Sequence, residues 1–337
     1  MKTIAMENYR TIGIVGAGSW GTALAFPLEA NGAQVTLWGH DAAHVAAMAE
    51  AKENAAYLPG VALPASVRCT NELSDLAACE LVLIVTPSKA IREVSARLST
   101  VGLRADTVLL SCTKGIERGS GKRMSEVIAE MLPGHVVSVL SGPSHAEEVA
   151  RGMPTAVVLG CTREEAALRL QQTFSTACFR AYTNADVAGI EWGGALKNVF
   201  AIAAGVSDGL GLGDNSKAAL VTRALAEMIR LGTALGGSLE TFNGLGGIGD
   251  LIVTCFSRHS RNRRVGERLG KGERLADIVA SMQMVAEGVP TTFGAREQAH
   301  KLGVEAPIID EIGALLDDQR RPEQVLDNLL RRELKPE

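Results

Sequence analysis

The sequence predicts an α/β fold: a doubly wound sheet in the N-terminal half, followed by an all-α C-terminal domain. Three observations predict it. A GxGxxG motif lies between a β-rich run and a helical run near the N-terminus. Further β-rich runs alternate with helical stretches as far as residue 182. From residue 186 onward helical periodicity continues without a convincing strand. In a chain of 337 residues, 46% of them apolar, two domains are expected, 1–185 and 186–337, with material for sizeable cores.

The first element is the short β-rich run 12–15. Gly16, Gly18 and Gly21 follow, and a helical pattern begins near Ser19. Each glycine then has its own duty. The first permits a tight turn, the second lets the backbone approach a pyrophosphate, and the third lets helix and strand pack closely, with the diphosphate on the helix N-terminus. A second β-rich run at 34–38 arrives where a βαβ unit needs it, which makes the motif a strong signal for a dinucleotide. Pro27 is expected to kink the helix, because it cannot donate to the carbonyl of Ala23. The cofactor-selecting position reads Trp38-Gly39-His40-Asp41. His40 suits a 2′-phosphate and Asp41 a ribose hydroxyl, so NAD and NADP both stay open; the missing acid at 38 leans to NADP.

More β-rich runs follow at 66–69, 81–85, 107–111 and 136–140, and two others at 155–159 and 179–182 complete this half. Alternation with helices predicts parallel strands, whose ligands gather at the carboxyl ends. Those ends read Thr86-Pro87-Ser88, Cys112-Thr113-Lys114-Gly115 and Ser141-Gly142-Pro143-Ser144-His145-Ala146. Lys114 is either placed to meet a phosphate or polarised carbonyl, or is an exposed loop lysine. Ser144 with Glu147 fits an S-x-x-E capping box, with ligand contact as a second role.

The helical half opens with DVAGIEWGGALKNVFAIAAGVSDGLGLG at 186–213. Asn184 or Asp186 is placed to cap this helix, and the glycine-rich run from Gly209 to end it. Inside it Lys197 is flanked by Ala195, Leu196, Val199, Phe200 and Ile202. Burial disfavours the charged form of lysine, and a lysine tuned that way exchanges a proton near neutral pH. Gly193 and Gly194 share its face of the helix, which reads as an open groove floor. The alternative is a lysine that reaches water or pairs with Glu191 or Asp208. A helix is expected over 215–235 and a glycine-rich loop over 242–249. Asp250 then opens an apolar helix, and its carboxylate either caps that helix or pairs with a buried lysine. Four arginines fall within the seven residues 258–264, either a solvated basic face or a phosphate clamp built on the arginine fork.

Composition excludes several classes. The net charge is −4 and no aromatic residues interleave with the arginines, which argues against nucleic acid. No run approaches the roughly 18–20 uncharged apolar residues of a membrane span, and the first ten residues lack a signal-peptide core. Six scattered cysteines without a CxxC pair read as reduced thiols in a cytoplasm. His40 and His44 have a metal-like spacing, but no third ligand sits close in sequence, so no metal is expected.

Seven stretches, taken together, resemble a known family. They are GAGSWGTALA (16–25), TPS (86–88), TKG (113–115), SGPSHAEE (141–148), GGALKNVFAIAAG (193–205), GLGGIGDL (244–251) and SRNRR (260–264). In this order, and over nearly the whole chain after the first ten residues, they look like the bacterial-type NAD(P)-dependent glycerol-3-phosphate dehydrogenases, whose N-terminal domain is of the Rossmann type. The resemblance implies reversible hydride transfer between C2 of sn-glycerol 3-phosphate and nicotinamide, giving dihydroxyacetone phosphate. It also implies a role in supplying glycerol phosphate for phospholipids. By motif, Lys197 is then the proton acceptor, Asp250 its electrostatic partner and a substrate contact, and Lys114 lies between nicotinamide and substrate. Gly142 and Ser144 border the substrate, with Ala146 on the cofactor side. Ser260, Arg261 and Asn262 hold the substrate, Arg261 also reaching the cofactor. Gly16, Gly18, Ser19, Trp20, Gly21, His40, Val285 and Glu287 complete the cofactor contacts. A homodimer through the helical half is the expected assembly.

Two other readings stand beside this one. A β-hydroxyacid dehydrogenase-like enzyme of related two-domain architecture also has a lysine near an asparagine, as Lys197-Asn198 does; the SRNRR stretch separates the two, because a phosphate needs it. A redox-sensing nucleotide-binding module would bind NADH without turnover and would be indifferent to Lys197→Ala.

Overall fold

The computed structural model of the protein describes residues 7–282 and 284–333. Eight strands form one sheet: β1 (Thr11–Val15), β2 (Gln34–Trp38), β3 (Arg68–Thr70), β4 (Leu81–Ile84), β5 (Val108–Ser111), β6 (Val136–Ser141), β7 (Thr155–Gly160) and β8 (Phe179–Asn184). Their spatial order is β3-β2-β1-β4-β5-β6-β7-β8. Ile12 of β1 stands opposite Val35 on one side and Leu81 on the other, so the strand order reverses at β1. That switch point is where the carboxyl ends of such a sheet leave a crevice.

The central strands β1, β4 and β5 are buried on both faces, as parallel strands flanked by helices must be, whereas β8 alternates buried and exposed positions. Among the described residues six α-helices precede residue 187: α1 (Ser19–Ala30), α2 (Ala42–Ala51), α3 (Ile91–Ser99), α4 (Met124–Met131), α5 (Ala146–Ala150) and α6 (Glu164–Phe174). Side chains alternate between the faces. Ile12, Ile14, Leu81 and Leu83 join Leu24, Leu28 and Phe174 in one core. Val82, Ile84 and Leu109 join Ile91, Leu98, Val127 and Ile128 in the other.

Three details depart from the expectation. The sheet is parallel except for β6 and β7, which run antiparallel. The connection between them explains this: α5 has five residues, about 7.5 Å at 1.5 Å per residue. A strand of six residues, as β6 and β7 both are, is roughly 20 Å long, so the helix is too short to carry the chain back for a parallel return. β3 starts at Arg68 and not at 66, because Val67 N–H closes a turn on the Pro64 carbonyl at 3.0 Å. The third departure concerns Ser144, described with the site below. α1 runs on through Pro27 to Ala30.

The chain divides into two compact units, residues 1–113 with 124–190, and residues 114–123 with 191–337. The ten residues 114–123 thus cluster with the helical unit although they follow β5 in the chain. The helices from residue 187 on are α7 (Val187–Gly209), α8 (Asp214–Ala234), α9 (Leu239–Phe242), α10 (Asp250–Phe256), α11 (Arg261–Gly270), α12 (Leu275–Ala280), α13 (Gly288–Leu302), α14 (Pro307–Leu316) and α15 (Pro322–Leu330). Of the two candidate caps of α7 it is Asp186 that acts, accepting from Gly189 N–H at 2.8 Å; Asn184 accepts from the Asp186 N–H at 2.9 Å, one step before the helix. Within the helical unit α7 and α11 pack backbone to backbone. A Cβ on Gly205 would lie 1.9 Å from the Arg263 carbonyl oxygen, and one on Gly266 would lie 1.9 Å from that of Ile202. Among the described residues no helix is long and apolar enough to cross a membrane.

Candidate active site

Lys197 and Asp250 are both buried, at 7% and 0% exposure. The Lys197 ammonium donates to Asp250 Oδ1, and Lys114 Nζ donates to Oδ2 of the same carboxylate at 2.6 Å. One acid thus holds two ammonium groups, one from each of its oxygens. Burial pushes Lys197 down from its ordinary value to about 7; Asp250 opposes that fall and Lys114 adds to it. For Asp250, burial alone would raise the carboxyl, but Lys114 and then Lys197 outweigh it and hold it below the ordinary carboxylate value. A lysine poised near 7 accepts a proton in one direction and returns it in the other. A buried thiol completes the surroundings: Cys255, five residues further along α10, is pushed up to about 12 by burial and stays neutral.

Local chain geometry explains how Asp250 gets there, and it corrects two expectations. The stretch expected as a loop is coiled: Leu245–Gly249 forms a π-helical turn that runs straight into α10. The backbone before Asp250 is already helical (Gly249 at φ −59°, ψ −49°), so Asp250 is not a cap and its carboxylate turns to the lysines. Gly193 does not line an open groove either. A Cβ there would lie 2.3 Å from the Gly246 carbonyl oxygen, so the glycine lets the π turn press against α7. Nor do Glu191 and Asp208 pair with Lys197. Glu191 stands 6 positions away and off the Lys197 face, while Asp208 stands 11 positions away, near that face but about 16 Å along the axis. Glu191 instead takes Arg123 at 2.7 Å, and Asp208 takes Lys217 and Arg263.

A second group forms at the start of α11. Ser260 is its N-cap, accepting from Arg263 N–H at 3.2 Å. Asn262 is buried, donates to Asn198 Oδ1 at 2.9 Å and accepts from Gly288 N–H at 2.8 Å. Arg261 donates to the Val285 carbonyl at 3.0 Å, and Glu287 is half-buried at the start of α13. So Ser260, Arg261, Asn262 and Val285 come together, and the bond from Asn262 to Asn198 joins them to the residue beside Lys197. Asn198 has no role assigned to it by the sequence; its signal is a buried-helix amide directly after the candidate base. The four arginines are not placed alike. Arg263 donates to Asp208 at 2.6 Å, while Arg258 and Arg264 are exposed.

In the sheet unit the glycine motif fits a dinucleotide. Gly16 sits at φ 128°, and a Cβ on it would lie 2.5 Å from the Val85 carbonyl oxygen. A Cβ on Gly21 would meet the Gly16 carbonyl at 1.9 Å, whereas one on Gly18 would meet nothing within 4 Å. Turn, open approach and tight packing are therefore divided among the three as a diphosphate requires. The first turn of α1 carries no acidic side chain, which leaves its N-terminal dipole for an anion. Ser19 is buried, and the buried Trp20 Nε1 has no hydrogen-bond partner among the described residues. His40 is exposed. Asp41 caps α2, accepting from His44 N–H at 3.0 Å. Gly142, at φ 119°, needs its missing side chain. Ser144 does not cap α5: its hydroxyl donates to the Gly142 carbonyl at 3.0 Å, and the cap position falls to His145, so the capping box does not form. The Ala146 methyl is buried in the sheet core.

A doubly wound sheet opening on such a glycine turn, in a chain that also buries a near-neutral lysine against a carboxylate, describes a nicotinamide-linked dehydrogenase. The family comparisons narrow the class. The model of the NAD-dependent glycerol-3-phosphate dehydrogenase N-terminus matches residues 11–167, and that of the C-terminus matches residues 186–327. The chain belongs to the NAD-dependent glycerol-3-phosphate dehydrogenase family. It is 49% identical over 336 residues to the NAD(P)+ glycerol-3-phosphate dehydrogenase of Geobacillus thermodenitrificans, covering 98% of this chain and 97% of the relative. With that of Chlorobium phaeobacteroides (strain BS1) the identity is 46% over 330 residues, covering 97% and 98%. The crystal structure of glycerol-3-phosphate dehydrogenase from Coxiella burnetii superposes with a TM-score of 0.92 at 39% identity, over 96% of this chain and 99% of that one.

Proposed function

We propose that this protein catalyses the reversible NAD(P)-linked oxidation of sn-glycerol 3-phosphate at C2 to dihydroxyacetone phosphate. The observation that carries the reading is the buried Asp250 carboxylate bridging Lys197 and Lys114. When bound, the nicotinamide cofactor takes up or supplies the hydride. The chain's own residues do the rest. Lys197, as the neutral amine, accepts the C2 hydroxyl proton, and as the ammonium it returns the proton to the carbonyl oxygen. Asp250 orients both lysines and contacts the substrate. Lys114 offers its ammonium to the oxygen on which negative charge develops. Ser260, Arg261 and Asn262, at the N-terminus of α11, hold the substrate, with Gly142 and Ser144 at its border. The glycine turn, Ser19, Trp20, His40, Ala146, Arg261, Val285 and Glu287 hold the cofactor, with residues 1–185 as the dinucleotide domain and 186–337 as the substrate domain. A cytoplasmic homodimer that supplies glycerol 3-phosphate to phospholipid synthesis completes the reading.

The test is steady-state turnover of dihydroxyacetone phosphate with NADH and with NADPH, followed by nicotinamide absorbance. Oxidation of either cofactor is expected; none with this substrate, together with turnover of a β-hydroxy acid, overturns the reading. The pH dependence gives a second readout. Oxidation of the alcohol needs neutral Lys197, so its kcat rises as pH passes upward through about 7. Reduction needs the ammonium as acid, so its kcat falls over the same interval.

A further inference from the structure

The excursion 114–123 carries Lys114 at one end and Arg123 at the other, and it is braced along its length within the helical unit. Ile116 and Arg123 pair as an antiparallel bridge, and Glu117 N–H donates to the Lys122 carbonyl at 2.9 Å. Ser120 Oγ donates to the Glu117 carboxylate at 2.5 Å across the tip. Two glycines there take positive φ, Gly119 at 86° and Gly121 at 68°. The Arg118 guanidinium lies 5.5 Å from the Phe293 ring centroid on α13, and buried Ile116 lies against Gly294 of the same helix. Arg123 then donates to Glu191 on α7 at 2.7 Å; the Glu191 side chain is 6% exposed. Glu191 is six residues before Lys197, so the pair grips the same helix about 9 Å along its axis from the base.

Resting on the reading of Lys197 as the base, we propose that the Arg123–Glu191 ion pair is a positioning device for Lys114. It pins the return strand of the excursion to α7, and through the Ile116–Arg123 bridge fixes where the Lys114 backbone, two residues away, starts its reach to Asp250. Neither Arg123 nor Glu191 touches the reacting atoms. Lysine has a long flexible stem, so without a fixed root its ammonium has many places to go besides one carboxylate oxygen. A charge pair this enclosed also holds its geometry, because separating it would leave a buried carboxylate without its guanidinium.

The titratable groups facing Lys197 are Asp250 and Cys255 on α10 and Lys114 on the excursion. Lys114 disfavours protonation of Lys197, so loosening the root of Lys114 has a signature that plain destabilisation lacks. In Arg123→Ala, kcat is expected to fall by about 10- to 100-fold, the loss typical of a reacting group displaced by an ångström. The rising limb of the oxidation pH profile should also move to higher pH, with KM changing less than kcat. Glu191→Gln, nearly isosteric, should shift the limb the same way by a smaller amount, and it decides the matter if Arg123→Ala does not fold. A variant that melts normally yet keeps the wild-type rate and pH limb overturns the proposal. Lys197→Ala run alongside separates the two failures. If it is inactive while both pair variants behave as wild type, only the positioning role falls; if it turns over normally, the reading of Lys197 falls first.

Discussion

Two ion clusters hang on α7, one buried and one half-buried, and each sets one aspartate against two cations. At Asp250 the partners are Lys197 and Lys114, with side-chain exposures of 8% and 19% against 1% for the acid. At Asp208 they are Lys217 and Arg263, at 11% and 17% against 17%. The residue types differ in what they can do. A guanidinium stays protonated at any accessible pH, and Arg263 has a second carboxylate, Glu267, at 3.6 Å. Lys217 rests its ammonium 5.1 Å from the Phe256 ring centroid. That cluster balances its charges and joins α7, α8 and α11. At Asp250 both cations are lysines, one with its proton affinity drawn to near neutrality by burial. A buried ion cluster becomes reactive when the acid is enclosed and a partner is able to lose its proton; the mere presence of opposite charges does not distinguish them.

Substitutions can break this contrast, in decreasing order of effect. Lys197→Ala is expected to lower turnover by roughly 10⁴-fold, the upper range for a general acid–base group, while cofactor affinity in a fluorescence titration stays unchanged; near-normal turnover would make the two clusters alike. Asp250→Asn leaves two buried ammonium groups facing a neutral amide. Turnover should fall on the order of 10²-fold, and denaturant melts should show a loss of about 3–5 kcal/mol, as for removing one partner of a buried pair. The pH limb should move below about 7, since Asp250 is the group that raises Lys197. Arg263→Ala should lower stability by about 1–3 kcal/mol and leave the pH limb in place; a shifted limb would give the Asp208 cluster a catalytic part. Arg264→Ala, at an exposed position, should change stability by under about 0.5 kcal/mol and leave KM for glycerol 3-phosphate as it is. A large rise in KM would restore the phosphate clamp that four neighbouring arginines imply by their spacing.

Much of the fold was legible because its signals are local. Strands buried on both faces must be continuously apolar, so 81–85 and the apolar centre of 107–111 read as strands from composition alone. A glycine turn with a strand before it and a helix after it fits little besides a dinucleotide site. What misled were features whose meaning depends on residues far away in the chain. Gly193 looks like the floor of a groove in isolation, and only Gly246 reveals that it is a packing contact. Ser144 and Glu147 spell a capping box, but Ser144 turns back to Gly142 and leaves the cap to the next residue. The direction of β7 was hidden as well, because periodicity reports that a strand exists and not which way it runs.

Taken alone, the residues determined the alternation of strand and helix, the dinucleotide turn, the apolar helix around Lys197 and the family, since each rests on periodicity, backbone freedom or motif order within a short window. Motif order already implied Asp250 as the partner of Lys197; tertiary structure alone decided that Lys114 takes the second oxygen of the same carboxylate and that the group is dehydrated. Lys114 has several acids within plausible reach along the chain, and choosing among them is a matter of distance and dehydration. Those quantities exist only once α7, the π turn and the excursion 114–123 have packed, and they are what draw Lys197 from an ordinary ammonium to a group that can give up its proton near pH 7.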